Sequence, residues 1–516
     1  MTALDAAALA AAVGSIVCAD VRWLRVAQRE HYVPGSAARF AWRWWASTPV
    51  NVVLAFAAVA GAATAGIVPA AAFAPAVVVA IGPIGLRLRG RTSRLVWTRR
   101  LSVVAAVVAG LEGLAIAPAA ADGGVSAAVL AAAVASVAVP LVVDVALTVL
   151  RPVEDLLAER YVRRASAVLA RARPVVVGIT GSYGKTTTKG YVAHLLAGDR
   201  SVVASPRSFN NRAGLARTVN EHLVPGTEVL VAEMGAYGPG EISALCRWLQ
   251  PEVSVITAIG PSHLERFGTL DRTLSAKAEI ASGARVIVLN VDDGRLEGLA
   301  QRLAATQKVI RTSGTETGAD VAVLTHADGL ELFLGGVSSG VIALGPGTPP
   351  PIPANAACAA AVALELGIPA EVVVRRLSTV PSVPNRLQLY QADAGYLVLD
   401  DTFNANPAGA RIALGALARE ASAGRRVLVT PGMVELGRTQ RAENAALAES
   451  AAGVVSDVVV VGRTNRVALV EGCHRVARPP AVKLVRTREE AVTWARAHLG
   501  PGDAVLFEND LPDHFP

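Results

Sequence analysis

Val175-Val-Val-Gly-Ile-Thr-Gly-Ser-Tyr-Gly-Lys-Thr-Thr-Thr-Lys189 decides the fold. It opens with a short apolar β-type run, Val175 to Val177, and passes through a glycine-bearing turn. It continues through Lys185 and three threonines into an apolar helical pattern at Tyr191, Val192, Leu195 and Leu196. Strand, glycine turn and helix N-terminus together form an anion cradle, because backbone N–H groups and the positive helix end converge on one point. Gly181 and Gly184 allow the backbone to approach phosphate oxygens with no Cβ in the way. Lys185 can reach outer phosphates, and the Thr186 hydroxyl, followed by Thr187, can ligate magnesium. A strict eight-residue phosphate loop would begin with glycine at 179, which is Ile179 here, so the pattern is the shorter Gly-x-x-Gly-Lys-Thr-Thr. A glycine connector without function ranks below nucleotide binding, because strand, turn, lysine and threonine fall in the required order.

Outward from this loop toward the C-terminus, short β-branched runs at 228–232, 253–257, 285–289, 396–400, 426–430, 457–461 and 504–507 alternate with Ala-rich amphipathic stretches. That alternation predicts open parallel sheets covered by helices, an α/β architecture. The turn-rich Gly345–Pro353 segment breaks the first unit, and Val380–Arg386 separates two αβ units.

Toward the N-terminus the chemistry changes. The 516-residue chain is 52% hydrophobic and 18% charged, with mean hydropathy +0.43, and the apolar excess sits in the first 150 residues. Five candidate membrane spans read at roughly 4–20, 49–68, 69–86, 101–120 and 125–150. The first lacks a basic leader and is followed by Arg22, Arg25 and Arg29, which argues against cleavage. Arginines cluster at 21–48 and 87–100, and Trp42, Trp44 and Trp45 fit an interfacial belt. The positive-inside rule then puts both Arg-rich loops, and everything after Leu150, in the cytoplasm of a multi-pass inner-membrane protein. Glu112 and Asp144 fall within the spans; snorkelling near an interface is preferred there over a proton path. The implied division is 1–150 transmembrane helical, 151–173 juxtamembrane helix, 174–384 an ATP-binding α/β domain and 385–516 a second, Rossmann-like α/β domain.

Net charge is +7, carried almost entirely by arginine; lysine occurs only at 185, 189, 277, 308 and 483. Each retained lysine therefore raises the question of why arginine would not serve. The four cysteines have no metal or disulfide spacing. Polar clusters follow apolar strands at Ser208–Asn211, at Ala232-Glu-Met-Gly235 and at Thr257–Gly268, where open α/β sheets place ligand sites. Taken singly, Glu233 reads as a solvated carboxylate, His263 as a packed or surface histidine, and Lys277 as a helix-surface lysine.

Taken together, the pieces resemble the Mur ligase family, most closely its D-alanyl-D-alanine-adding branch. The resemblance covers about 174–505. It rests on Thr180–Thr187, Phe209–Asn211, Glu233–Gly235 with Pro239–Ile242, Ile259–His263, Ala276-Lys277, Asn355, Arg386–Gln388 and Asp400–Pro407, with a weaker match at Pro431–Gly437. It implies ATP-driven amide ligation, in which a carboxylate takes the γ-phosphoryl group and the acyl phosphate is captured by an amine. On that likeness Thr186, Glu233 and His263 match magnesium ligands, and Lys277 matches a lysine that becomes carbamylated and holds a second metal. Asn355 matches an adenine contact. Arg386 and Asp401 match residues that close onto the nucleotide, with Asn404 and Asn406 beside them. The chain departs from the family at Pro351, where a histidine is usual. It also departs at Phe507-Glu-Asn-Asp-Leu511, which replaces a Lys-Gly-Ser-Arg type segment, and in carrying apolar spans where a soluble UDP-sugar domain is usual.

The resulting expectation is a membrane-anchored, Mg²⁺/ATP-dependent carboxylate–amine ligase. Its amine would be an amino acid or peptide, its acceptor a lipid-linked cell-wall or envelope precursor, and no nucleic-acid partner is expected. The rivals are addition of D-Ala-D-Ala to a soluble UDP-muramyl peptide by a merely tethered enzyme, and a nucleotide-driven transporter or scaffold. The bland, mostly uncharged spans weigh against the last.

Overall fold

The computed structural model describes residues 3–90, 94–206, 209–326, 329–344, 350–381, 386–403, 405–420, 424–512 and 514–516. The chain forms two units, one comprising Met1–Leu156 with Leu511–Pro516 and the other Leu157–Asp510. The 384/385 division expected between two α/β domains lies outside the described residues.

The first unit is helical: α1 (Ala3–Arg29), α2 (Ser36–Trp45), α3 (Pro49–Thr64), α4 (Phe73–Ile81) and α5 (Arg99–Ala172). By length and composition two helices, α1 and α5, can cross a membrane, or three if the bent α2–α3 pair is one span. One of the five expected spans is corrected. The 69–86 stretch is a short 3₁₀ turn followed by a nine-residue helix, too short at 1.5 Å per residue. The expected 101–120 and 125–150 stretches are two helical segments of α5 that meet at a break at Gly124, where φ is 71° and ψ −164°.

Two buried charges of this unit, Arg22 and Asp144, cap helices. The Arg22 guanidinium donates to the carbonyls of Val79 (2.8 Å), Ala80 (2.9 Å) and Ile81 (3.1 Å), the orphan acceptors at the end of α4. Asp144 accepts from the N–H groups of Ala37 (3.2 Å) and Ala38 (2.9 Å) at the start of α2. It is therefore a buried cap and does not snorkel. Glu112 is also buried and meets the Asp20 carboxyl. The terminal segment packs here too: Trp44 Nε1 donates to the His514 carbonyl (2.8 Å), His514 pairs with Glu30 (3.1 Å), and Phe515 stacks edge-on against Phe40.

The second unit holds two sheets. The first comprises β1 (Val175–Thr180), β2 (Val202–Ala204), β3 (Val229–Glu233), β4 (Val253–Ile256), β5 (Val286–Asn290), β6 (Lys308–Ser313), β7 (Val321–His326), β8 (Gly329–Leu334) and β9 (Val337–Ala343). Their spatial order is β2-β3-β1-β4-β5-β6-β7-β8-β9, parallel through β7 and antiparallel at the β8 and β9 edge. The central strands read as unbroken Val/Ile runs because helices cover both faces. One face packs Leu230, Ile256, Ile287 and Leu289, and the other Val177, Ile179, Val231 and Val255 against the Ala-rich helix Pro353–Glu365. Val162, Ala165 and Leu169 add the end of α5 to the first of these cores.

The second sheet comprises β10 (Gln388–Gln391), β11 (Leu397–Asp401), β12 (Arg426–Thr430), β13 (Asp457–Val461), β14 (Ala481–Val485) and β15 (Ala504–Glu508), in the order β10-β11-β15-β12-β13-β14. All pairs are parallel except β10 with β11. In both sheets the chain reverses its direction of travel across the sheet beside a central strand, at β1 and at β15. Such reversals open a crevice at the C-terminal strand ends.

Candidate active site

The loop Gly181–Gly184 leaves the C-terminal end of β1 at the reversal of the first sheet and starts helix α6 (Lys185–Leu196). Gly184 has φ +84°, and a Cβ there would lie 2.5 Å from Asn355 Oδ1. Gly181 is closed in the same way, since its Cβ would meet Thr257 Oγ1 at 2.0 Å. Both positions need glycine for close approach, which is what an anion cradle demands.

The Lys185 ammonium folds back on its own loop, donating to the carbonyls of Gly181 (2.7 Å) and Ser182 (3.4 Å). Burial lowers its affinity for its proton, Glu233 opposes that shift, and Arg386 reinforces it. Arg386 comes from the edge of the second sheet, so the two sheets bring their cations together at the loop.

Glu233 ends β3 and is 1% exposed. Its carboxylate accepts from Thr186 Oγ1 (2.9 Å) and Lys189 Nζ (3.0 Å), with Asn210 Nδ2 at 3.4 Å. The Thr186–Glu233 pair fits a magnesium ion shared with phosphate oxygens, since that ion commonly takes one or two carboxylates and completes its shell with phosphate and water. Among the described residues no group of three or more His, Cys, Asp and Glu side chains gathers to hold a metal by itself.

His263 stands elsewhere than its expected role requires. It has φ +58° and forms an ion pair with Glu435, and its ring meets Tyr237 edge-on at 5.0 Å. Among the described residues no hydrogen bond or ion pair links it to Glu233 or Lys277. Lys277 is 2% exposed and lies over the Phe267 ring, 5.7 Å from its centroid. Burial, and then the neighbouring Lys185 charge, push its amine well below the usual lysine range. A neutral amine is the form that takes up carbon dioxide.

Between the sheets lies a cleft of about 950 Å³. Tyr183, Gly184, Thr187 and Asn355 line one wall; Arg386, Asp401, Phe403 and Asn406 line the other. Of the expected nucleotide contacts, Gly184, Thr187, Asn355, Arg386, Asp401 and Asn406 line this cleft, whereas Gly181, Lys185 and Thr186, and with them Glu233, His263 and Lys277, are not among its lining residues. Asp401 accepts from the Leu387 N–H (3.1 Å), and Arg386 lies over Phe403. Asn406 caps the following helix through the Gly409 N–H (2.9 Å). Asn404 lies outside the described residues.

The comparisons with known proteins fall on this same architecture. The Mur ligase middle domain matches residues 179–346, and the Mur ligase glutamate ligase domain matches residues 385–508. The UDP-N-acetylmuramoyl-tripeptide–D-alanyl-D-alanine ligase of Mycobacterium tuberculosis is 34% identical over 380 residues, covering 66% of this chain and 71% of that protein. The chain belongs to the Mur ligase family. Its members form carbon–nitrogen bonds at the expense of ATP, and this chain is an ATP-dependent ligase of that type. The Bacillus subtilis enzyme of the same name is 28% identical, covering 67% of this chain and 75% of that one. Among solved structures, MurF from Thermotoga maritima in complex with ADP superposes with TM-score 0.59 at 26% identity, over 68% of this chain and 80% of that one. Residues 1–178 of this Mur ligase lie outside both domain matches.

Three participants escaped single-residue reading: Lys189 on Glu233, Glu435 on His263, and Glu508 beside Asp401. For Lys189 a signal existed, the scarcity of lysine in an arginine-rich chain. Glu435 falls in the weaker Pro431–Gly437 match and Glu508 in the departing Phe507–Leu511 segment, but neither segment names its partner, which is 172 and 107 residues away respectively.

Proposed function

We propose that this Mur ligase joins a carboxylate-bearing muramyl peptide to the amine of a dipeptide through an acyl phosphate, and that the helical unit anchors it in a membrane. The observation that carries the reading is the single cleft in which the phosphate loop of one sheet faces Arg386 and Asp401 of the other. Two anionic reactants, a carboxylate and a triphosphate, must meet, and cations between them lower that barrier. Lys185 and Arg386 supply two. Thr186 and Glu233 would hold a magnesium ion, which neutralises phosphate charge when bound.

The relatives' printed names favour D-Ala-D-Ala as the amine and a UDP-linked muramyl tripeptide as the acceptor, in preference to a lipid-linked one. The anchor reading draws on α1 and α5, apolar and long enough to span. It also draws on the apolar side chains that the helical unit leaves uncovered, such as Phe56 at 73% exposure and Leu114 at 73%.

The test is purified full chain in detergent with ATP, Mg²⁺, UDP-N-acetylmuramoyl-tripeptide and D-Ala-D-Ala, following ADP release and the product mass. ADP release that requires both peptides, with a product at the ligated mass, is expected. ADP release indifferent to either peptide would defeat the substrate assignment, and release that appears only with a lipid-linked muramyl peptide would move the acceptor to the membrane. Extraction of the chain from membranes by alkaline carbonate would defeat the anchor.

A further inference from the structure

Asp401 and Glu508 end neighbouring parallel strands, β11 and β15, and are directly paired in register. Residues so paired project to the same face of the sheet. Glu508 is 0% exposed, and no N–H, hydroxyl or cation donates to either of its carboxyl oxygens among the described residues. Its titratable neighbour is Asp401, a second acid. Asp401 in turn lines the cleft, so one carboxyl meets the substrate space and the other stands behind it, out of water. Two carboxyls paired in register, the inner one buried with no donor to it, hold a proton in common.

We propose that Asp401 and Glu508 act as one carboxyl pair that takes up the proton shed by the incoming ammonium during ligation, with Asp401 facing the substrate and Glu508 setting its basicity from behind. This rests on the ligase reading. In the capture step the ammonium must lose a proton before its nitrogen can attack. The C–N bond forms and the C–O bond to phosphate breaks. Of the two N–H protons lost, one leaves with the phosphate as hydrogen phosphate and the other goes to the pair.

The other carboxylates along the cleft are committed or remote. Asp292 accepts from Gly314 N–H and Thr315 Oγ1, Asp293 accepts from Arg295 N–H and Ile259 N–H, and Glu420 is exposed at a helix end. The charged groups facing the pair are Arg386, which favours ionised Asp401, and Asp400, which opposes it. Burial raises Asp401 above the usual range despite Arg386; burial and then Asp401 raise Glu508 further. A base poised above the ordinary carboxylate range is better matched to an ammonium near neutral pH. Glu508 is a positioning residue by this account, because it acts through Asp401.

The experiment compares wild type with Glu508→Gln, which keeps the shape and removes the acid, using two amines. D-Ala-D-Ala arrives as an ammonium; hydroxylamine is already neutral near pH 7 and captures an acyl phosphate as a hydroxamate. With UDP-N-acetylmuramoyl-tripeptide as acceptor, Glu508→Gln is expected to retain hydroxamate formation within about 2-fold. Peptide product should fall by 10-fold or more, within the usual range for loss of proton transfer, with the loss in kcat rather than KM and the rate profile displaced along pH. Glu508→Asp, which restores an acid, should recover most of the peptide rate. An unchanged peptide rate and pH profile in Glu508→Gln would overturn the inference while leaving the ligase reading intact. So would an equal loss with both amines, which marks a merely structural side chain. Should Glu508→Gln fail to fold, Glu508→Asp decides alone: a pH profile identical to wild type overturns the inference. Wild type silent with both amines would remove the ligase reading and this inference with it.

Discussion

Lys189→Met tests the centre of the phosphate-loop wall. The Lys189 ammonium sits 3.0 Å from Glu233, and the two side chains are 7% and 2% exposed. Methionine matches the length and apolar stem of lysine, so packing is conserved while the charge is lost. Breaking a buried ion pair from one side costs about 3–5 kcal/mol, because the surviving charge is left uncompensated. Glu233 would retain Thr186 at 2.9 Å and Asn210 at 3.4 Å, which places the expected loss near the lower bound, about 3 kcal/mol. At roughly 2–4 °C per kcal/mol for a domain of this order, the melting temperature should fall by about 6–12 °C. Glu233→Gln removes the charge from the other side. The double variant should lose less than the sum of the singles, with a coupling of about 2 kcal/mol, as contacting residues do. Differential scanning fluorimetry on the four proteins makes the comparison. A Lys189→Met protein that melts with the wild type, or a strictly additive double variant, would refute the claim that this lysine is the counter-ion of Glu233.

Three further outcomes follow from named contacts. Gly184→Ala forces an L side chain into φ +84° and drives its Cβ to 2.5 Å from Asn355 Oδ1; about 1–3 kcal/mol of strain should appear as roughly 5- to 150-fold weaker ADP binding by calorimetry. Arg22→Met leaves three carbonyls at the end of α4 without their donor, and the detergent-solubilised chain should melt lower and expose the 79–82 region to faster amide exchange. Stability should also depend on pH through Glu508, whose ordinary value is 4.5 and whose folded value is raised well above it by burial and Asp401. The folded chain keeps a proton that the unfolded chain releases. This contribution is therefore fully present below pH 4.5 and is lost as pH climbs toward the folded value. Glu508→Gln should flatten that decline in melting temperature, and an unaltered slope would count against a shared proton.

The alternation of apolar runs and helical stretches placed seven strands to within about a residue, because a parallel sheet covered on both faces writes itself as continuous Val and Ile. The runs at 228–232 and 504–507 appear as Val229–Glu233 and Ala504–Glu508. The β7–β9 edge was not legible in this way. Its outermost strand, Val337–Ala343, is exposed at six of seven positions and so has no buried apolar run to mark it. The 69–86 span failed for a related reason. Pro69 and Pro75 were readable as a break, but only packing decides that α4 ends after nine residues, where Arg22 reaches in from another helix to cap it. Composition reports that a segment is apolar and leaves open whether its backbone can be finished inside the bilayer.

The candidate site divides along the same line. Gly184 and Thr187 sit where a strand passes into a helix, Asn355 lies in the first turn of a helix and Asp401 ends a strand, and these line one cleft together with Arg386. Partner choice was not legible. His263 faces Glu435 and Glu233 faces Lys189, both cations or proton carriers turned onto acids where metal coordination was expected. The two sheets solve the same electrostatic problem differently. The first sheet buries its strand-end acid, Glu233, against the Lys189 amine. The second buries Glu508 beside another acid, so a proton must do the work of the missing cation. A fixed charge suits a wall that must grip anions throughout turnover, whereas a titrating pair suits the wall from which a proton has to be removed. The asymmetry between a lysine at 189 and a glutamate at 508 therefore assigns phosphate handling to the first sheet and proton handling to the second.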